Sequence, residues 1–87
     1  MANQSHASGL GTKATVTAQT VVGKYNAEDN TSLFVVGVGT GADTTQRMNA
    51  FTTGNDGTED YITIGETKLT ETQLKKVIEF INRIENI

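Results

Sequence analysis

The sequence has no cysteine and only one histidine among its 87 residues. A disulfide framework and a histidine-rich metal cluster, two usual devices that stabilise small domains, are therefore excluded. A chain of this length buries only roughly 60 to 65% of the surface that it exposes when unfolded, so we do not expect a large private core. Oligomerisation is the remaining stabilising device.

Long apolar runs and clusters of positive charge are also missing. The longest apolar run, residues 33–38, is interrupted by Gly37, and the first ten residues are polar in character. We expect neither a membrane span nor a secretory signal. The net charge of −3 is spread over ten acidic and seven basic side chains, without the concentrated Lys and Arg that bind phosphates. We therefore expect no nucleic-acid partner and no membrane insertion.

A repeat is present near the N-terminus. The segments Ser-His-Ala-Ser-Gly at residues 5–9 and Gln-Thr-Val-Val-Gly at residues 19–23 superpose with a period of 14 residues. Between them, small or apolar residues alternate with polar ones over residues 12–19, which predicts short extended segments. Such units generally need about three or more stacked copies. We predict a β-roll-like remnant at residues 1–26 whose missing contacts come from neighbouring chains.

Residues 27–69 read as a β-rich region. Residues 32–38 have the composition of a strand that is buried on both faces, and residues 39–43 look like a turn. The Asn-Asp-Gly sequence at residues 55–57 is a strong turn signal that predicts a hairpin between a segment around Ala50 and residues 61–64. We predict a second turn at residues 65–69.

Residues 70–87 predict a helix with complete local signals. Thr70 and Gln73 have the spacing of a capping box, and Leu69 and Leu74 have that of a hydrophobic staple. An apolar stripe within an arc of about 120°, widened by Phe80 and Ile87, contains Leu74, Val77, Ile78, Ile81 and Ile84. The stripe contains a heptad-like series that favours the association of two or three helices. An isolated helix of this length is only marginally stable in water. The helix either joins other copies or packs on the β region of its own chain.

Two motifs suggest ligand sites on first inspection. The sequence Gly-Val-Gly-Thr-Gly-Ala at residues 37–42 matches a dinucleotide-binding fingerprint, but the residues that follow are poor helix formers, so we predict a glycine-rich loop. Asp56, Glu59 and Asp60 are hard oxygen donors without the spacing of a calcium loop, and a solvated hairpin tip is the better interpretation.

Isolated residues give no further chemistry. His6 has no carboxylate or second histidine at ligand or relay spacing. Arg47 pairs with Asp43, pairs with a neighbouring chain or is solvated; the sequence leaves these alternatives open. A polysaccharide-degrading enzyme would need paired carboxylates in a cleft. We therefore predict no enzyme, no catalytic residue, no metal site and no cofactor.

The Ser-His-Ala-x-Gly element with its 14-residue spacing resembles the β-roll head repeats of trimeric autotransporter adhesins (YadA-like heads) and the similar repeats of phage tail fibres. The segments at residues 22–26 (Val-Gly-Lys-Tyr-Asn), 33–39 and 47–52 (Arg-x-Asn-Ala-Phe-Thr) look like the end of such repeat arrays in prophage tail proteins. The resemblance covers most of residues 5–65.

The resemblance implies a trimeric left-handed parallel β-roll that continues into a fibre. Two departures stand out: Ser8 lies where the repeats commonly have Glu, and only about one and a half repeats precede the fibre segment, which suggests a truncated fragment. The family's self-cleaving C-terminal chaperone has no counterpart in the final short helix, so no self-cleavage is implied.

We thus expect a mainly β fold with a C-terminal α-helix, assembled as an intertwined homotrimeric fibre with a short helical bundle. The expected function is structural and adhesive, in the tail fibre of a phage and acting outside the cell. The alternatives are a receptor-binding tip for a cell-surface glycan or protein, and a fragment of a bacterial trimeric adhesin at the cell surface. The candidate trimer-interface residues are Leu33, Val35, Leu74, Val77, Ile78, Ile81 and Ile84. The candidate receptor loops contain Thr40, Asp43, Asn55 and Asp56.

Overall fold

The structure, a computed structural model, describes residues 4–85. These residues form one sheet in which neighbouring strands follow chain order, and a C-terminal helix. The elements are β1 (His6–Ala7), β2 (Thr20–Lys24), β3 (Ser32–Val38), β4 (Asn49–Asn55), β5 (Asp60–Ile64), β6 (Thr67–Thr70) and α1 (Glu71–Glu85). The prediction of a mainly β chain with a C-terminal helix is confirmed. Residue 87 of the predicted stripe lies outside the described residues.

The first half of the sheet is a parallel coil with a 14-residue period. Ala7, Val21 and Val35 are successive partners across β1, β2 and β3. The two predicted repeat copies therefore stack as expected, and β3 is a third copy that the sequence analysis missed. Its signal is the sequence Val-Val-Gly, which occurs at residues 21–23 and again at 35–37. The coil consequently extends through β3, beyond the boundary predicted after residue 26.

Two irregular connections, which we call the return segments, join these parallel strands: residues 8–19 between β1 and β2, and residues 25–31 between β2 and β3. Residues 12–15 have no regular secondary structure and residues 16–18 bend and turn, so the extended segment predicted there is wrong. Ala14, on the first return segment, packs against Val21 and Val35 in a small buried core. Within residues 12–18 only Ala14 is buried, and backbone groups of Lys13 and Thr15 bond to the side chains of Asn26 and Gln19 instead of to a strand.

The second half of the sheet is antiparallel. β4 pairs with β3 on one side and with β5 on the other, and the predicted hairpin around residues 55–57 is confirmed. The turn predicted at residues 65–69 is shorter than expected, because Gly65 and Glu66 alone make the turn and Thr67–Thr70 pairs with β5 as β6. Register places Leu69 beside Ile62, so the strand adds an apolar side chain to the same face of the sheet.

The sheet has two unlike faces, because successive side chains of a strand point to opposite sides. The covered face carries Val21 and Val35 and lies under the return segments. On the other side, the pairs Val22 with Val36, Val36 with Phe51 and Phe51 with Ile64 place their side chains together. We call this side the apolar face; its members are Val22, Phe34, Val36, Phe51, Ile62, Ile64 and Leu69.

Candidate functional site

The apolar face is only partly covered by the described residues, since each of its members is either half-buried or exposed. Ile64 is 68% exposed and Phe34 is 37% exposed. Phe34 and Phe51 meet edge to face with ring centroids 6.5 Å apart, which confirms that they share this side. The same registers place the side chains of Thr20, Thr53 and Thr67 beside these apolar residues, and Lys24 lies at the end of β2. A contiguous and partly exposed apolar patch of this kind is typical of interaction surfaces.

The helix starts from a fixed position beside the hairpin tip. The Thr70 backbone N–H donates to Gln73 Oε1 at 2.9 Å, and the Gln73 N–H donates to Thr70 Oγ1 at 3.3 Å, so the predicted capping box is confirmed. The Glu59 carboxylate also accepts hydrogen bonds from the backbone N–H and the hydroxyl of Thr72. Leu69 and Leu74 line one cavity of about 230 Å³, the place of the predicted staple. These contacts orient α1 through its first turn.

Beyond its first turn, α1 leaves its apolar side uncovered. All described residues of α1 are exposed, and Ile81 is 47% exposed. We call the exposed apolar row of the helix the helix stripe: Leu74, Val77, Ile78, Ile81 and Ile84. Of the two alternatives left open by the sequence, the structure does not have the helix lying on the β region of its own chain.

The structure separates the two predicted interface residues in β3. Leu33 is 52% exposed and available to a partner. Val35 is 0% exposed and packs in the chain's own core with Val21 and Ala14. This corrects the prediction for Val35: its side chain belongs to the covered face and has no surface to offer another chain.

Polar side chains that the sequence analysis missed hold the return segments in place. Asn26 accepts the Lys13 N–H at 2.7 Å and donates to the Lys13 carbonyl at 3.0 Å. Asn49, on β4, does the same to Ala27 at 2.8 and 3.0 Å. Residues 13 and 27 are one repeat apart. Asn49 therefore makes to Ala27 the same pair of hydrogen bonds that Asn26 makes one repeat earlier to Lys13.

Gln19 is a third such clamp. Its Oε1 accepts the Thr15 N–H, and its Nε2 donates to the carbonyls of Asp29 and Ser32 at 2.8 Å each. The side chain is 1% exposed, and a buried amide with these partners costs little to bury. Gln19 is therefore a structural residue. The sequence alone does not show this role, because it depends on hydrogen bonds to residues 10 and 13 positions away.

A hydroxyl network joins the coil to the hairpin. The Asp29 carboxylate accepts hydrogen bonds from the hydroxyls of Ser32 and Thr31, and from their backbone N–H groups. Partial burial raises the pKa of Asp29, but these hydrogen bonds outweigh it and hold the pKa below its usual value of 3.8. A carboxylate can only accept hydrogen bonds, so the hydroxyl groups of Ser32 and Thr31 both donate to Asp29. The Tyr61 phenol oxygen lies 2.6 Å from Ser32 Oγ and 2.8 Å from Thr31 Oγ1, so its single proton is donated to one of these two hydroxyl oxygens.

The two candidate receptor loops lie at opposite ends of the sheet. Thr40 and Asp43 are exposed in the loop that follows β3, whereas Asn55 ends β4, which runs antiparallel to β3, and Asp56 follows it. The four residues do not form one site. Each hairpin end presents its loop separately to solvent.

The acidic residues at the hairpin tip are engaged within the chain. Asp56 accepts the backbone N–H groups of Glu59 and Thr58 and forms an ion pair with Lys68 at 3.0 Å. The Glu59 N–H bond, the Lys68 bond and the Thr58 bond together lower the pKa of Asp56 to about 2. Among the described residues no group of three or more His, Cys, Asp or Glu side chains is placed to hold a metal ion.

The Arg47 side chain forms hydrogen bonds with three separate segments of the chain. Its Nε donates to the Ala42 carbonyl at 3.0 Å, and its Nη1 donates to the Gly11 and Asn26 carbonyls at 2.8 and 3.3 Å. Of the alternatives left open above, pairing with Asp43 is not realised: within residues 4–85 no carboxylate forms a salt bridge with the guanidinium. The glycine-rich stretch at residues 37–42 leads from β3 into a loop rather than a helix, as predicted.

The chain was compared with known protein families, curated proteins and solved structures, and a functional conclusion rests on the fold, the apolar face and the helix stripe. No family model, no curated protein and no solved structure matches the chain. The helix within residues 4–85 is too short and too polar to cross a membrane.

Proposed function

We propose that the chain is a structural and adhesive module of a homotrimeric fibre, of the kind found in phage tail fibres and in bacterial trimeric adhesins, with no catalytic role. The observation that carries this proposal is that in a single chain the helix stripe is exposed and the apolar face is only partly covered. Two further copies supply the missing cover. Such a fibre acts outside the cell, either on a virion or on a bacterial surface.

The apolar face suits self-association because the same side of the sheet is available in every copy. Its members extend across five neighbouring strands, from Val22 in β2 to Leu69 in β6. On the opposite face, Ala14 already packs over Val21 and Val35, so the parallel half of the sheet needs a partner on one side only. Three such faces turned toward one axis bury each other, which is the usual solution for a sheet that is apolar on its open side.

The helix stripe favours three copies over two. Leu74, Val77, Ile81 and Ile84 follow the 3–4–3 spacing of core positions in a coiled coil, with β-branched residues predominating. Ile78 and Phe80 occupy flanking positions that a two-stranded coil usually fills with charged residues. A stripe of this width is buried more completely when each helix contacts two neighbours.

The shape of the chain agrees with a fibre segment. Its described residues extend over 51 × 26 × 18 Å, and the strands follow chain order across the sheet. The helix begins directly after β6, the last strand of that order. Copies related by a threefold axis along the long dimension therefore place sheets beside sheets and helices beside helices in the same register.

The mass of the protein in solution tests this proposal. We expect sedimentation equilibrium at micromolar concentration to give three times the 9.3 kDa mass of one chain. An apolar dye that fluoresces on exposed hydrophobic surface is expected to bind weakly, because assembly covers the apolar face. A cooperatively melting species of one chain mass would contradict the proposal.

A further inference from the structure

A cleft on the covered side of the sheet carries positive charge in an otherwise acidic protein. It measures about 290 Å³ and is lined by Lys13, Ala27, Glu28, Ala42, Thr44 and Arg47. These residues come from both return segments and from the loop after β3. The volume is near the lower end of small-molecule sites and suits one compact group.

The charges of this cleft are not balanced within the chain. Glu28 is its only acidic lining residue, and it lies 3.8 Å from Lys13, with both side chains more than half exposed. Such exposed pairs contribute little and rearrange easily. Arg47 adds a second cation with no carboxylate partner within residues 4–85. The cleft is thus cationic although the chain has a net charge of −3.

The guanidinium of Arg47 is held ready for a ligand. Nε and Nη1 donate to three carbonyl oxygens, and the guanidinium carbon lies 5.9 Å from the centroid of the Tyr25 ring. Nη2 donates to none of the described residues, so it retains two donors. A guanidinium fixed in this way loses little conformational entropy when it binds an oxyanion.

We infer that this cleft binds the carboxylate of an acidic sugar, such as a sialic or uronic acid residue of a surface glycan. The carboxylate takes the donors of Arg47 Nη2 and the charge of Lys13. The Thr44 hydroxyl and the Glu28 carboxylate suit sugar hydroxyls, while the methyl groups of Ala27 and Ala42 suit the apolar side of a sugar ring. An inorganic anion would use only the donors of Arg47 and the charge of Lys13.

The cleft stays accessible in the proposed trimer. Its walls are return segments and the loop after β3, and return segments cover the side of the sheet opposite to the apolar face. Binding at this cleft is therefore independent of the assembly state. A trimer that does not bind sugar would contradict this inference alone. A monomer that binds sugar would contradict the proposed trimer alone.

The experiment is a titration of isotope-labelled full-length chain with N-acetylneuraminic acid and with glucuronic acid, followed by heteronuclear spectra of the amide and Arg47 side-chain N–H groups. We expect saturable shifts at millimolar ligand, concentrated at Lys13, Ala27, Thr44 and Arg47. The methyl esters of the same sugars, which lack the charge, are expected to give no saturable shift. Acetate at the same ionic strength controls for anion binding alone.

Variants give a second readout. Lys13→Gln removes an exposed charge and leaves the backbone clamp to Asn26 unchanged; it is expected to weaken binding about two- to fivefold. Lys76→Gln, which removes an equivalent charge on the exposed helix, is expected to change nothing. Equal shifts with the methyl esters, saturation by acetate with the same affinity, or the absence of saturable shifts would each overturn the assignment.

Discussion

Gly23 lies directly above Gly37 in the parallel coil, so close that a Cβ atom on Gly23 would stand 2.4 Å from the Gly37 carbonyl oxygen. Gly23 also has a φ of +96°, a conformation that side chains rarely adopt. The same contact recurs one repeat earlier, where a Cβ on Gly9 would meet the Gly23 carbonyl. The 14-residue period is therefore set by close backbone approach as well as by apolar side chains.

This contact predicts the effect of Gly23→Ala. The substitution adds backbone strain of about 1–3 kcal/mol and an overlap with backbone atoms that costs about 1–3 kcal/mol more. Gly57→Ala is the matched control, because Gly57 has a φ of +98° and none of the described residues within 4 Å of its added Cβ. Denaturant unfolding at equal protein concentration measures both. Equal losses in the two variants would contradict the stacking argument.

Local signals in the sequence predicted the local parts of the structure. The capping box of Thr70 and Gln73 needs only residues three positions apart, and its two hydrogen bonds form as expected. The hairpin at residues 55–57 is equally local. The predicted turn at residues 65–69 was too long because Gly65 marks the start of a turn but does not fix where pairing resumes.

Features that depend on distant partners were not predictable in the same way. The apolar run at residues 33–36 has no alternation, so the sequence does not reveal that Val35 faces the core while Phe34 faces the apolar face. Asn26 and Asn49 are clamps only because the fold brings them to backbone groups 13 and 22 residues away. Arg47 likewise finds the Gly11 carbonyl, 36 positions earlier. These contacts also build the candidate cleft.

The Asp29 network predicts sensitivity to acid. Because the pKa of Asp29 is lowered in the folded chain, its contribution to stability is present above the unfolded pKa near 3.8 and is lost as the pH falls through the lower folded value. Asp29→Asn is expected to cost about 1–2 kcal/mol at neutral pH. The difference from the parent chain should shrink in strongly acidic buffer.

Thermal unfolding across a pH series measures this effect. Asp43→Asn is the control, since Asp43 is exposed and its carboxylate makes no hydrogen bond with the described residues. Its cost is expected to stay within about 0.5 kcal/mol at every pH. A difference between Asp29→Asn and the parent chain that does not depend on pH would argue against an ionised Asp29 at the centre of the network.

Ile64→Lys tests the apolar face. In a single chain Ile64 is 68% exposed, so the substitution costs the monomer little, within about 0.5 kcal/mol. In the trimer it brings three ammonium groups to an apolar contact, and we expect the assembly to dissociate at micromolar concentration. Glu66→Lys, in the adjoining turn, changes the charge by more and is expected to leave the mass unchanged. Retention of the trimer by Ile64→Lys would place Ile64 outside the interface.

Ile81→Asp tests the helix stripe with a closely matched control at the next residue. Ile81 lies within the stripe, whereas Asn82 projects about 100° away from it around the helix. Asp at position 81 forces three carboxylates into one apolar seam, which costs at least about 3 kcal/mol per trimer, so the trimer should be lost at micromolar concentration. Asn82→Asp adds the same charge outside the stripe and should preserve it. Sedimentation equilibrium compares the two variants, and an unchanged trimer for Ile81→Asp would exclude the helix stripe from the assembly even if the apolar face still forms it.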